Sequence, residues 1–166
     1  MIRALPSRDE ILAILDEVKD PEVPVVSVVE LGIVRDVEVA PDGVVVTITP
    51  TYSGCPAMRE IEADIARALD EHGIAPVEVR TIYSPAWTTE WISSGAREKL
   101  EAYGIAPPGP VASSGLVAIE RRVASLRCPY CKSLATERKS EFGSTACKAL
   151  YRCLACREPF DYYKAH

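Results

Sequence analysis

Two cysteine pairs near the end of the chain restrict its folding most. Cys128-Pro129-Tyr130-Cys131 and Cys153-Leu154-Ala155-Cys156 are separated by 21 residues. Two Cys-x-x-Cys knuckles at about this separation place four thiolates tetrahedrally around one ion. The segment that carries them, residues 119–166, is of a size at which an apolar core alone seldom suffices. A structural zinc, worth on the order of 10 kcal/mol, closes that gap. A four-cysteine zinc ribbon is therefore expected, with Cys128, Cys131, Cys153 and Cys156 as ligands. Four thiolates also suit iron in a rubredoxin-like centre or a cluster. Compact knuckles between strand-like segments favour zinc.

Cys147 is left over from this pattern. It precedes Cys153 by six positions, too far for a knuckle, and reads as an additional ligand, a thiol behind the ligands, or a packed apolar group. Disulfides would need an oxidising compartment. The opening MIRALPSRDE has no apolar h-region of a signal peptide, so the expected location is cytoplasmic. No apolar run approaches the roughly 20 residues of a spanning helix, so no membrane partner is expected.

The formal charge of −5 hides a split. Residues 1–120 hold 9 basic against 20 acidic side chains, a balance of −11, and residues 121–166 hold 10 against 4, or +6. The change falls just after the Pro/Gly/Ser-rich stretch 104–115, GIAPPGPVASSG, which reads as a semi-stiff linker. Three segments follow: an acidic domain over 1–103, a linker over 104–118 and the ribbon over 119–166.

In the acidic domain, Ser7 and Glu10 form a capping box, and Ile11, Leu12, Ile14, Leu15 and Val18 recur at helical spacing up to Asp20-Pro21. Residues 33–39 and 44–49 are β-rich and flank the turn signal Ala40-Pro41-Asp42-Gly43. Met58, Ile61, Ile65 and Leu69 form the apolar stripe of a second helix that Gly73 stops. Val77, Val79 and Thr81 alternate with Glu78 and Arg80 in a third strand, and Trp91 to Leu100 mark a last helix. The order α-β-β-α-β-α gives an α+β sandwich, helices over a three-stranded sheet.

Cys55 carries the most chemical information here. Pro56 suits a first helical turn, which places Cys55 at the cap, where free N–H groups and the helix dipole favour a thiolate. The alternative is a small buried apolar residue. Asp20 and Glu22 read either as hard ligands or as the carboxylates that end a helix.

The motifs Asp20-Pro21-Glu22, residues 28–34 (VVELGIV), Thr51-Tyr52-Ser53-Gly54-Cys55-Pro56 and Ser84-Pro85-Ala86-Trp87 together resemble the iron-sulfur assembly family long called a domain of unknown function. That resemblance covers residues 8–102. It implies an accessory factor for delivering iron-sulfur clusters, with Cys55 as a transfer thiol or transient ligand for a cluster or iron, and Asp20 and Glu22 as weaker candidates. Trp87 and Trp91 read as core residues or as a partner surface. The tail, from the first knuckle through residues 142–153 (FGSTACKALYRC) to Cys156-Arg157-Glu158-Pro159-Phe160-Asp161, extends the likeness. It resembles the D (or J) subunit family encoded with the aerobic phenylacetate pathway.

That second resemblance implies maturation of the iron-sulfur or di-iron centres of the phenylacetyl-CoA oxygenase (epoxidase), without catalysis by this chain alone. Its implied partners are oxygenase components or iron-sulfur client proteins, and a homodimer is a further option. The residues agree that catalytic machinery is sparse. His72 and His166 are the only histidines, neither preceded by a Glu-x-x of a di-iron bundle, and no Gly-rich phosphate loop occurs. The alternative functions are a stable adaptor subunit of that oxygenase and a zinc-ribbon regulator. The basic ribbon invites nucleic acid, but the acidic domain repels phosphate, which places nucleic acid last.

Overall fold

The computed structural model describes residues 6–109 and 126–166; the expected linker beyond Gly109, with Arg121 and Arg122, lies outside them. The chain divides into two compact units, Met1–Ala96 and Arg97–His166. The division falls within the helix Ser94–Ala102 (α3 below) rather than in the Pro/Gly/Ser-rich stretch.

In the first unit, α1 (Arg8–Leu15) begins at the expected capping box: Glu10 N donates to Ser7 Oγ at 3.2 Å and Ser7 N to Glu10 Oε2 at 2.7 Å. The Ser7 N–H first, and then the Ser7 hydroxyl, which donates to Glu10 Oε2 at 2.9 Å, hold the exposed Glu10 carboxyl below its usual range. The helix is shorter than its apolar spacing suggests. Val18 leaves it because its carbonyl accepts from Val28 N at 3.0 Å, which draws the chain into a ribbon of β1 (Lys19–Asp20) and β2 (Val23–Ser27). Periodicity gave no sign of this ribbon, since Pro24 and Ser27 interrupt the pattern.

The three-stranded sheet has the order β3-β4-β5. Strand β3 (Val34–Ala40) pairs antiparallel with β4 (Gly43–Ile48), and β5 (Val77–Thr81) lies parallel to β4 after α2 (Met58–Glu71) has crossed over. Ile61, Ile65 and Leu69 of α2 are at most 1% exposed, as are Val46 and Ile48 of β4, each burial contributing roughly 1.5–3 kcal/mol. The turn into β4 needs glycine: Gly43 has φ +150°, and a Cβ there would meet Pro76 O at 2.7 Å. After a 3-10 turn (Thr89–Trp91), α3 (Ser94–Ala102) starts with Ser93 Oγ accepting from Ala96 N at 3.0 Å. The expected α-β-β-α-β-α order is thus present, with the small ribbon added between its first two elements.

The second unit is a four-stranded sheet in the order β6-β9-β8-β7. Here β6 is Ile105–Ala106, β7 Thr136–Ser140, β8 Lys148–Cys153 and β9 Pro159–Tyr163. Ala106, Cys128, Ala149, Tyr151, Cys153 and Phe160 form its small core, with Tyr151 stacked on Phe160 at 5.9 Å. Strand β6 pairs parallel with β9, so two residues expected in the linker belong to this sheet. No helix among the described residues is long and apolar enough to cross a membrane.

Candidate functional site

The sheet of the second unit brings the two knuckles together. Cys128 N donates to Ser133 O at 2.9 Å and Cys153 N to Glu158 O at 3.0 Å, so both knuckles close by the same bond, five residues on. Cys153 ends β8, and the strand register fixes it over Thr136 of β7, next to the first knuckle. The four Sγ atoms of Cys128, Cys131, Cys153 and Cys156 lie within 4.8 Å of one another, with Cys128–Cys156 at 3.8 Å and Cys131–Cys153 at 3.5 Å. Tetrahedral bonding at about 2.3 Å per sulfur sets neighbouring sulfurs about 3.8 Å apart. The donor set therefore fits a four-coordinate metal ion.

Electrostatics point the same way. The Cys153 thiol is drawn down to about 6, chiefly by the backbone N–H of Cys156 and also by that of Ala155, with the Cys131 and Cys156 sulfurs assisting. Cys156 is pushed up to about 12. The Glu158 N–H favours its thiolate, but burial and the sulfurs of Cys153, Cys131 and Cys128 outweigh that bond. One negative charge in the group suppresses the next, and a dication removes that conflict. Bound there, the metal would cross-link both knuckles through Cys128, Cys131, Cys153 and Cys156.

Cys147 lies at the far end of β8, roughly 20 Å along the strand from Cys153 at about 3.3 Å per residue, and outside the four-sulfur group. It is 3% exposed, its Sγ sits 3.0 Å from Thr145 Oγ1, and its carbonyl accepts from Lys164 N. This is the packed-thiol arrangement among the three that its position allowed.

Cys55 is half-buried in the turn between β4 and α2. It is not the helix cap: α2 is capped at Ala57, and Cys55 N donates to Tyr52 O at 3.3 Å. Its thiol is raised, not lowered, and the helix-cap expectation of an acidic thiolate is corrected accordingly. Burial is the largest cause. The Ala57 N–H and the Tyr52 side chain favour the thiolate, while the carboxylates of Glu22 and Asp20 oppose it. The fold thus brings Asp20 and Glu22 of the β1–β2 ribbon beside Cys55. Asp20, 7% exposed, already accepts from Glu22 N at 2.8 Å and Val23 N at 2.9 Å through one oxygen. Among the described residues, the four ribbon cysteines are the group close enough to hold a metal, and Cys55 stands outside it. Tyr52 is the neighbour that sequence reading passed over; its signal was its place three residues before the cysteine.

A cavity of about 590 Å³ at the other end of β4 is lined by Glu10, Ile14, Pro41, His72 and Pro76 among others, and contains none of the cysteines. Trp87 is core: it is 5% exposed and Nε1 donates to Leu31 O at 2.9 Å. Trp91 is half-buried under the Arg35 guanidinium, 3.5 Å from the ring centroid.

Comparison with known proteins matches these two sites to two families. Residues 8–82 match the family described as iron-sulfur cluster assembly protein, and residues 113–164 match the PaaD zinc beta ribbon domain. The putative D subunit of the 1,2-phenylacetyl-CoA epoxidase of Escherichia coli (strain K12) is 48% identical over 161 residues, covering 97% of this chain and 94% of that protein. The chain belongs to this epoxidase D-subunit family. The Fe-S protein maturation auxiliary factor YitW of Bacillus subtilis (strain 168) is 35% identical over 92 residues, or 54% of this chain and 89% of that one. A crystal structure of a domain of unknown function from Bacillus anthracis superposes with a TM-score of 0.53 at 32% identity, covering 56% of this chain and 90% of its own. Both resemblances carried by the sequence motifs therefore hold, and this member of the D-subunit family is a mixed α/β protein with a zinc-ribbon domain.

Proposed function

We propose that the chain is an accessory protein that matures the metal centres, iron-sulfur or di-iron, of a phenylacetyl-CoA oxygenase. The observation that carries this reading is the contrast between its two thiol sites. Four cysteines are drawn together as a closed metal centre, which suits a structural zinc. Cys55 stands apart, half-buried and flanked by the Asp20 and Glu22 carboxylates, which suits a thiol that holds cluster or iron in passing as cargo. The likeness of residues 8–82 to iron-sulfur assembly proteins supports that role. In this reading the chain works in the cytoplasm, is not catalytic alone, and meets oxygenase components or iron-sulfur client proteins. Asp20 serves the turn that positions Glu22 beside the thiol.

The test is a Cys55→Ala variant expressed with the oxygenase. The variant should fold and keep its own metal, while the oxygenase purified from those cells is under-filled in iron. A fully loaded, fully active oxygenase would sink the proposal.

A second reading, a stable adaptor within the oxygenase, is favoured by the relative that is 48% identical along nearly the whole chain, itself named as an epoxidase subunit. Recovery of the chain in stoichiometric amounts with active oxygenase supports it; active enzyme without the chain counts against it.

A further inference from the structure

We infer that the outer edge of β5 is a self-recognition surface, joining two copies of this chain through an antiparallel pairing centred on Val79. The partner is a second copy, and the inference is independent of the maturation role.

The backbone decides which groups are offered. β5 is the last strand of its sheet, and among the described residues no strand lies beyond it. Val44 N donates to Pro76 O at 3.0 Å and Ile82 N donates to Ile48 O at 2.8 Å. Because these groups alternate in direction along a strand, residues 76, 78, 80 and 82 bond toward β4. Val77, Val79 and Thr81 turn their N–H and C=O outward. Val77 and Val79 are half-buried, whereas Val44, Val46 and Ile48 on the neighbouring strand are 5%, 0% and 0% exposed. The flank of β5 is thus open at side-chain level as well.

Centring an antiparallel pair on Val79 sets Val79 opposite Val79 and Val77 opposite Thr81 of the second copy. Each of these residues has both outward groups, so each pair exchanges two backbone bonds. The positions between them are the close, non-hydrogen-bonded ones, and there Glu78 falls opposite Arg80 of the second copy and Arg80 opposite its Glu78. Opposite charges across such pairs stabilise a sheet, and like charges oppose it. Within one copy, Arg80 Nη2 already lies 3.0 Å from Glu78 Oε1, with both side chains more than half exposed. Pairing extends this contact into a ladder of alternating sign.

Two other sheet edges among the described residues, β3 and β7, lack this property. β3, at the opposite edge of the same sheet, exposes Asp36 and Glu38, so the equivalent pairing about Val37 sets carboxylate against carboxylate. That is the ordinary protection of an edge. β7 carries Glu137 and Lys139, but pairing about Arg138 opposes two guanidinium groups, and its register is broken between Arg138 and Ser140. β5 combines regular register, apolar centre and self-complementary charge.

Sedimentation equilibrium of the metal-loaded full chain, from micromolar to millimolar concentration, tests this. The chain should dimerise reversibly, and Glu78→Arg or Arg80→Glu alone should weaken the dimer by about tenfold or more, each turning two attractive pairs repulsive. The double variant Glu78→Arg/Arg80→Glu should recover the dimer. An equimolar mixture of the two single variants should form the mixed dimer, because only that pairing restores opposite charges at both positions. Val79→Pro removes an N–H that points away from β4, so it should abolish the dimer and leave the circular dichroism spectrum intact. A chain that stays monomeric at millimolar concentration overturns the inference, as does a dimer indifferent to these reversals or single variants that fail to combine.

Discussion

Lys132 and Arg157 occupy the same place in the two knuckles: each follows the second cysteine of its pair, and each has a left-handed backbone, φ +64° and +70°. The chain must reverse there so that the residue beyond can accept the N–H of the first cysteine, as Ser133 and Glu158 do. A side chain in this region costs about 1–2 kcal/mol, which glycine avoids. The ribbon therefore keeps strained residues at both turns that set the four sulfurs. Lys132 has a compensating role, since Nζ lies 2.7 Å from Glu101 Oε1 and 2.8 Å from Pro129 O.

Arg157→Gly should accordingly stabilise the metal-loaded protein by up to about 1 kcal/mol, the relieved strain less the entropy that glycine adds to the unfolded chain. Lys132→Gly should gain less, because it also removes the Glu101 ion pair. Arg157→Val should lose stability. Thermal melts of the three variants at equal metal content check the order.

Removing the metal should unfold the second unit and spare the first. The core of the ribbon is small, and four thiols at this separation cannot all ionise without a cation. Cys153, depressed to about 6, contributes thiolate stability that is present above its ordinary pKa of 9.0 and is lost as pH falls through 6. Cys156, raised to about 12, favours its protonated form, whose contribution is present below 9.0 and lost as pH rises through 12. Metal loading at neutral pH must therefore expel the Cys156 proton. Calorimetric titration in buffers of different ionisation enthalpy should show proton release, and Cys156→Ser should reduce it. Cys147→Ser should leave the metal content unchanged, because its sulfur is at the other end of β8.

The ribbon was legible because a metal centre is written in spacing. Cys128, Cys131, Cys153 and Cys156 needed only two short turns and one strand register to meet. The helices and strands of the first unit were legible for a similar reason, since Ile61, Ile65 and Leu69 or Val77, Val79 and Thr81 announce their period. The β1–β2 ribbon was not, because its pairing is decided by contacts such as Val28 N to Val18 O, which have no local signature. The Cys55 thiol failed for the same physical reason. Pro56 correctly suggested a nearby helix start, but the cap fell at Ala57, and the thiol is raised first by burial in the fold, with Glu22 and Asp20, more than thirty positions earlier, adding to it.

Gly32→Ala should be among the most damaging single substitutions in the first unit. Gly32 has φ +70°, and a Cβ there would lie 2.7 Å from Trp91 Cβ and 2.9 Å from Trp91 O. Left-handed strain of about 1–2 kcal/mol adds to a clash with backbone that cannot swing aside. Trp87→Phe acts next door by leaving Leu31 O without its indole donor, at a cost of about 1–3 kcal/mol. Urea denaturation checks both, followed through the two tryptophans in Gly32→Ala and through Trp91 in Trp87→Phe.

The reactivity of Cys55 should follow its raised pKa. The thiolate is the nucleophile, and burial together with the Glu22 and Asp20 carboxylates keeps the proton on sulfur. A thiol raised above 9.0 in the fold contributes stability that is fully present below 9.0 and fades as pH rises through the folded value. Alkylation of Cys55 by iodoacetamide, followed by peptide mass spectrometry, should be slower at pH 8 than that of a free peptide thiol, and its rate should still be climbing above pH 9. Glu22→Gln removes one opposing carboxylate and should move the midpoint down. Tyr52→Phe removes a group that favours the thiolate and should move it up. A midpoint below that of a free thiol would mean that the Ala57 N–H and the helix start beyond it, and not burial with the two carboxylates, govern the sulfur.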